Sequence, residues 1–269
     1  MRKIEIVNPD RSSPSEPSIT PQGRVIGPGQ SWPASPPGAS LWMTAVELAS
    51  GSKLRLDRPH GEEALFVERG ELVVDGRVCL PGSAVVIEAQ AGPTTEARIP
   101  TRVLHMGAHD AGKGRVGAAV HRIGPRGVYE ALEPGRETRF FADASCPGCS
   151  LWLLFTARSF GYESPVHSHS QDELIHVLRG QIRIGSLTAV PGSSVFITAD
   201  QPYRFRSGDE GFAFLNYRRG ASVMTLRHSG EKIIETGAAT GMTAVLDVGS
   251  STESDRAHRP GGANHGWTD

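Results

Sequence analysis

The sequence predicts an all-β chain, and three observations carry that prediction. Glycine and proline are frequent, 32 and 19 of 269 residues. They fall between short runs of valine, isoleucine and leucine, as in many strands joined by tight turns. Runs such as GQIRIG alternate apolar and polar residues, as a strand with one buried face does. Third, ASPPGASLW (34–42) returns as ASCPGCSLW (144–152), with seven of nine letters matching at a spacing of 152 − 42 = 110 residues.

The match extends forward without a gap. Gly51 meets Gly161 and Glu63 meets Glu173. LFVERGELVVDG (65–76) then lies on IHVLRGQIRIGS (175–186), and CLPGSAVVIEA (79–89) on AVPGSSVFITA (189–199). About a third of positions 34–89 are identical in this one register. The period is far longer than a solenoid unit, so each copy is a whole domain.

Taken in order, residues 1–33 hold one strand-like piece and a Ser/Pro-rich arm. The first copy spans 34–122, with strand, turn, strand punctuated by Arg-Gly and Pro-Gly pairs. A connector with one helical turn is expected over 123–143. The second copy spans 144–250, and EKIIETG and MTAVLDVG read as its last strands. The tail, 251–269, has almost no apolar content and reads as disordered.

Composition narrows the function. Net charge is −1, with acids and bases interspersed, which removes the electrostatic case for a nucleic-acid partner. No apolar run is long enough to span a membrane, and MRKIEIVNPD has charges where a signal peptide would be apolar. Three cysteines are too few for a disulfide framework. The expectation is a cytoplasmic monomer or homodimer acting on a small molecule.

Chemistry concentrates in GYESPVHSHSQDELIHVLRG (161–180). Side chains alternate along a strand, so His167 and His169 share a face, and Glu173, an even step further, joins them. Two imidazoles and a carboxylate inside one domain suit a divalent transition metal. His176 has the opposite parity and is expected to face away, at a surface or interface. Arg204 is expected to be solvated.

This segment resembles the first motif of the cupin family, G(x)5HxH(x)3E(x)6G, at every defined position from Gly161 to Gly180. GSLTAVPGSSVFITADQPYRF (185–205) resembles the second motif in part, with Pro191-Gly192 at its turn. Tyr203 stands where the family has a fourth histidine ligand. The resemblance implies two tandem double-stranded β-helix (jelly-roll) barrels, a bicupin, with the metal in the C-terminal barrel. It also implies a metal set of His167, His169, Glu173 and Tyr203, with Tyr203 a ligand, an acid/base or a core aromatic. Iron(II) is the expected ion, with manganese, nickel or zinc as alternatives. The expected activity is that of a dioxygenase-type oxidoreductase on a small oxygenated molecule. The alternatives are a metal-dependent lyase, decarboxylase or isomerase, or a non-catalytic ligand-binding protein.

The first copy departs at the ligands: Asp57, Pro59 and Pro93 stand opposite His167, His169 and Tyr203, and only Glu63 remains. His60 and His105 are the histidines that could rebuild a site around it. Otherwise this copy is scaffold. Cys146-Pro147-Gly148-Cys149 replaces Pro36-Pro37-Gly38-Ala39, so the turn needs its Pro-Gly and not its sulfurs. A thiol-dependent redox protein is the remaining reading of that pair.

Overall fold

A computed structural model of the chain describes residues 3–8, 13–15, 18–57, 60–110, 118–238 and 240–245. The expected tail at 251–269, the end of MTAVLDVG and Pro59 lie outside the described residues. Among the described residues every regular element is a strand, and all strand pairings are antiparallel.

The strands form two large sheets and three small ones. The first large sheet runs Val120–Ile123, Ala84–Ile87, Glu63–Arg69, Thr101–Ala108, Leu41–Leu48, Gly29–Pro33. The second runs Ile4–Val7, Ser194–Ile197, Glu173–Ile184, Arg206–Arg218, Trp152–Arg158, Arg136–Asp143, Tyr129–Glu133, Thr243–Ala244, with Leu187–Ala189 paired to the long strand Glu173–Ile184. Neither sheet closes on itself through strand pairing. A small sheet of His167–His169, Val223–Leu226 and Lys232–Ile234 lies beside the second.

The two large sheets repeat one plan. Ala84 pairs with Phe66, and 110 residues later Ser194 pairs with His176. The register slips by one at the next strand. Gly107 pairs with Trp42 in the first sheet, and Arg218 pairs with Trp152 in the second, steps of 111 and 110. One extra residue therefore lies between the aligned segments and Arg206–Arg218, so beyond residue 89 an unbroken 110 spacing pairs the wrong positions.

The motif-ending glycines have a steric reason. Gly180 has φ +65°, and a Cβ there would lie 2.2 Å from the Gly211 carbonyl oxygen. At Gly70, φ +83°, it would lie 2.4 Å from that of Pro100. Only glycine takes both the backbone conformation and the close approach.

The expected connector changes character. The 123–143 connector is instead a hairpin of Tyr129–Glu133 on Arg136–Asp143, inside the second sheet. YEALE contains good helix formers, but Pro134-Gly135, with Gly135 at φ +73°, turns the chain at once. The first strand, Ile4–Val7, pairs with Ser194–Ile197 of the second sheet.

Three clusters make the core. One, with Val46, Leu65, Val85 and Val103, belongs to the first half. Another, with Ile175, Val195, Phe205 and Phe214, belongs to the second. The third joins Met43, Phe66 and Met106 to Phe141, Trp152, Phe196 and Tyr217, gluing the halves together. Each large apolar side chain fully buried contributes about 1.5–3 kcal/mol relative to exposure.

Candidate metal and substrate site

His167–His169 enters as a short strand whose outer residues are buried and whose middle residue is half-buried, as alternation requires. Tyr203 is locked opposite His167 by two backbone bonds, His167 N–H to Tyr203 O at 3.0 Å and Tyr203 N–H to His167 O at 2.9 Å. Glu173 begins the long strand, opposite Ile197. The structure thus brings His167, His169, Glu173 and Tyr203 together. The two imidazole centroids are 4.9 Å apart, the His167 and Tyr203 rings 4.5 Å apart, and His169 Nε2 lies 4.0 Å from Glu173 Oε1.

Hydrogen bonds set the tautomers. His167 Nδ1 donates to the Pro165 carbonyl at 2.7 Å, and His169 Nδ1 donates to Glu235 Oε2 at 2.9 Å. Each ring therefore keeps its Nε2 lone pair as an acceptor, the arrangement a metal-bound histidine adopts. Burial lowers the His167 pKa, which favours the neutral ring. Glu173 Oε1 accepts from the Tyr203 hydroxyl at 2.6 Å, and Oε2 accepts from Asn216 Nδ2 at 2.9 Å and Arg218 Nη2 at 3.1 Å. Burial works against its charge, but His169 and Arg218, with those bonds, outweigh burial and hold the carboxyl down at about 2. Burial and the adjacent Glu173 charge raise Tyr203 well above the ordinary phenol range, so its hydroxyl keeps its proton.

Sequence reasoning did not find Arg218, Glu235, Asn216 or Trp152. Arg218 is 1% exposed, yet carries a guanidinium that bonds Glu235 and Glu173, donates to His169 Nε2 at 3.2 Å, and lies 4.1 Å over the Trp152 ring. Burial opposes its charge, and Glu235 and Glu173 more than restore it. The usable signal was parity: in FAFLNYR (212–218), Asn216 and Arg218 share a face two residues apart. Glu235 has no local signal, because it follows a strand far along the chain.

These side chains border a cavity of about 230 Å³. His167, His169, Tyr203, Asn216, Arg218 and Glu235 all line it. Two further arginines, Arg136 and Arg158, line it too, so cations outnumber the one lining carboxylate.

The chain is similar to solved structures over most of its length. A protein from Pseudomonas aeruginosa named for induction by glyoxylate matches with TM-score 0.65 and 19% identity, covering 81% of this chain and 89% of that one. The protein Ylba from E. coli matches with TM-score 0.61 and 14% identity, over 80% and 90%. Oxalate decarboxylase from Lactobacillus farciminis, solved with formate, matches with TM-score 0.61 and 12% identity, over 80% and 86%. The fold is of the cupin type. No family model matches the sequence, and no curated protein matches it.

In the first half of the cupin fold, the same position has a different occupant. Glu63 is buried beside both His60 and His105, with His105 Nε2 2.6 Å from Glu63 Oε2 and His60 Nδ1 3.5 Å from Oε1. His60 Nε2 faces the Ala91 carbonyl at 2.6 Å and Nδ1 the Gly61 carbonyl at 2.7 Å. Both ring nitrogens thus face carbonyl oxygens, which only accept, and neither is turned toward an open position beside Glu63. With the one-residue slip, His105 takes the place of Asn216 and Gly107 that of Arg218. A side chain at Gly107 would collide with the Trp42 indole at 2.6 Å.

His176 faces away from the site, but it is fully buried rather than on the surface: it bonds Ser194 Oγ at 2.8 Å and lies 3.5 Å from Glu68 of the first half. Arg204 is exposed, paired with Glu163. Cys146 and Cys149 are buried in the shared core. The hydrogen bond between the thiols, burial, and the Glu62 and Glu88 charges push the Cys149 thiol far above its ordinary range, which is the opposite of a reactive thiolate. No helix among the described residues is long and apolar enough to cross a membrane.

Proposed function

We propose that the chain is a bicupin, two tandem cupin barrels. We propose further that its second half is a metal-dependent enzyme acting on a small anionic, oxygen-bearing molecule. The repeated strand plan and a structural likeness covering some 80% of the chain, more than either half, support the tandem reading. The observation that carries the metal is the pair of tautomers. Both histidines commit Nδ1 to an oxygen and present Nε2 as the acceptor, that of His169 facing Arg218 Nη2 at 3.2 Å, next to an ionised Glu173. His167, His169 and Glu173 would hold one divalent ion. That ion would supply Lewis acidity or, as iron(II), the oxygen chemistry of the two-histidine, one-carboxylate oxygenases.

The chain's own groups define the rest. Tyr203 holds a proton at its hydroxyl, 2.6 Å from Glu173, and is placed to act as an acid. Arg136 and Arg158 on the cavity wall favour a carboxylate-bearing substrate. Phe205, Phe214 and Leu154 add apolar faces to the cavity wall. Tyr203 outside the ligand set leaves positions open for a dioxygenase. Tyr203 as acid serves a decarboxylase or lyase equally well.

Metal analysis of anaerobically purified protein, with His167→Ala and Glu173→Ala, tests the ion. Full occupancy in both variants sinks the site. Oxygen uptake and carbon dioxide release, followed over small hydroxy- and oxo-acids, then separate the two chemistries.

Arg218 favours a second reading. Its Nη2 already satisfies His169 Nε2 at 3.2 Å, so the cage can stand without an ion as an anion-binding site with no catalysis. Protein isolated metal-free, and stabilised by carboxylate anions alone, would favour that reading.

A further inference from the structure

Away from this cavity, the two halves meet at a cluster of a different kind. Glu88 follows the strand Ala84–Ile87, and His121 lies on Val120–Ile123, both in the first half. Cys146 belongs to the turn leading into the second. Their donor atoms all lie within 4.8 Å of one another, and all three residues are buried. His121 Nε2 is 2.9 Å from Glu88 Oε1, and the Ala119 N–H donates to Glu88 Oε2 at 2.9 Å, fixing the carboxylate. Cys149, fully buried, hydrogen-bonds to Cys146 through its thiol.

The turn is shaped around this carboxylate. A Cβ at Gly148 would sit 1.9 Å from Glu88 Oε1 and 2.6 Å from its Cδ. A side chain at Gly148 would have to displace the Glu88 carboxylate from this position. The first copy supplies the control. At Gly38, in the matching PPGA turn, an added Cβ would meet nothing within 4 Å. Thr198 stands 110 residues after Glu88 and carries no carboxylate. The carboxylate and histidine of the first half therefore meet the two cysteines of the second copy's turn, while the matching turn carries Pro36 and Ala39 and the position matching Glu88 carries Thr198.

We propose that Cys146, His121 and Glu88, whose donors already converge, form a structural zinc site that pins the two halves to each other, with the neighbouring Cys149 turning in as the fourth ligand when the ion binds. A C-x2-C turn with an imidazole and a carboxylate provides four donors of the kinds zinc takes in closed tetrahedral sites. Thiolates favour zinc over the hard cations. Binding breaks two S–H bonds, forms two Zn–S bonds and releases two protons to solvent. The Ala119 N–H orients the carboxylate.

The full chain tests this, with zinc and cobalt(II) as probes. A His169→Ala background removes the other candidate ion, so the two sites fail separately. There, stoichiometric zinc should survive purification, and a strong chelator should lower the melting temperature. Cys146→Ser with Cys149→Ser should lose both the zinc and the chelator response. Cobalt(II) in the His169→Ala protein should give a thiolate-to-metal charge-transfer band and the intense visible bands of a tetrahedral site. Zinc content unchanged by the double serine variant overturns the proposal. So does a cobalt spectrum lacking the thiolate band, which decides the matter even if the serine variant fails to fold. Recovery of the pair as a disulfide overturns it as well.

Discussion

Arg218 occupies in the second sheet the place that Gly107 occupies in the first, each opposite the tryptophan of its own half, Trp152 or Trp42. One half closes its interior with a bare backbone against the indole. The other inserts a cation and surrounds it with Glu173 and Glu235.

Removing that cation should be costly. Arg218→Met leaves two buried carboxylates without their shared partner, and breaking a buried pair this way costs about 3–5 kcal/mol. Urea unfolding should show the midpoint drop with little change of slope. A variant as stable as the parent would make the arginine a bystander.

The Tyr203 hydroxyl meets the site through Glu173. Tyr203→Phe removes one of the bonds to that carboxylate and should cost about 1–3 kcal/mol of stability. Metal content should hold, while turnover falls by about 10²–10⁴, the range for a lost acid or base. Loss of the ion in this variant would instead make the phenol a ligand.

Acid should weaken the contact between the halves. Glu68 accepts from Arg102 Nε at 2.8 Å and faces His176 across the junction. Burial raises its pKa, but the His176 and Arg102 interactions prevail and leave it below the ordinary 4.5. A carboxyl depressed on folding stabilises above its unfolded value and loses that contribution as pH falls through its folded one. Melting curves from neutral pH downward should show the parent's advantage over Glu68→Gln intact at neutrality and shrinking once pH passes below 4.5. An advantage independent of pH would contradict this.

Two glycines separate strain from collision. Gly161 and Gly180 both have positive φ, but an added Cβ meets nothing within 4 Å at Gly161 and a carbonyl oxygen at 2.2 Å at Gly180. Alanine at either position costs about 1–2 kcal/mol for the left-handed backbone. Only Gly180→Ala should cost clearly more, and equal losses would remove the steric account.

The strand content and the converging trio were legible because both rest on local spacing. Alternation placed His167, His169 and Glu173 on one face, and the repeat located the turns. What the sequence hid was carried by distance or by ambiguity. Arg218 and Glu235 reach the site from the far end of the chain. YEALE looks helical until the Pro134-Gly135 turn is taken at face value, and one inserted residue broke the 110 spacing where Asn216 and Arg218 needed it. The buried His176 illustrates the limit of parity: facing away from one interior meant facing into another.

The strand Ile4–Val7 zips onto Ser194–Ile197, so residues from the start of the first half finish the second large sheet. Severing the protein between its two large sheets would not yield two independent pieces. The downstream fragment would expose a raw β-edge liable to recruit other chains, and the upstream one would trail a strand with no docking place. Mixed, the fragments should find each other, since each carries what the other lacks.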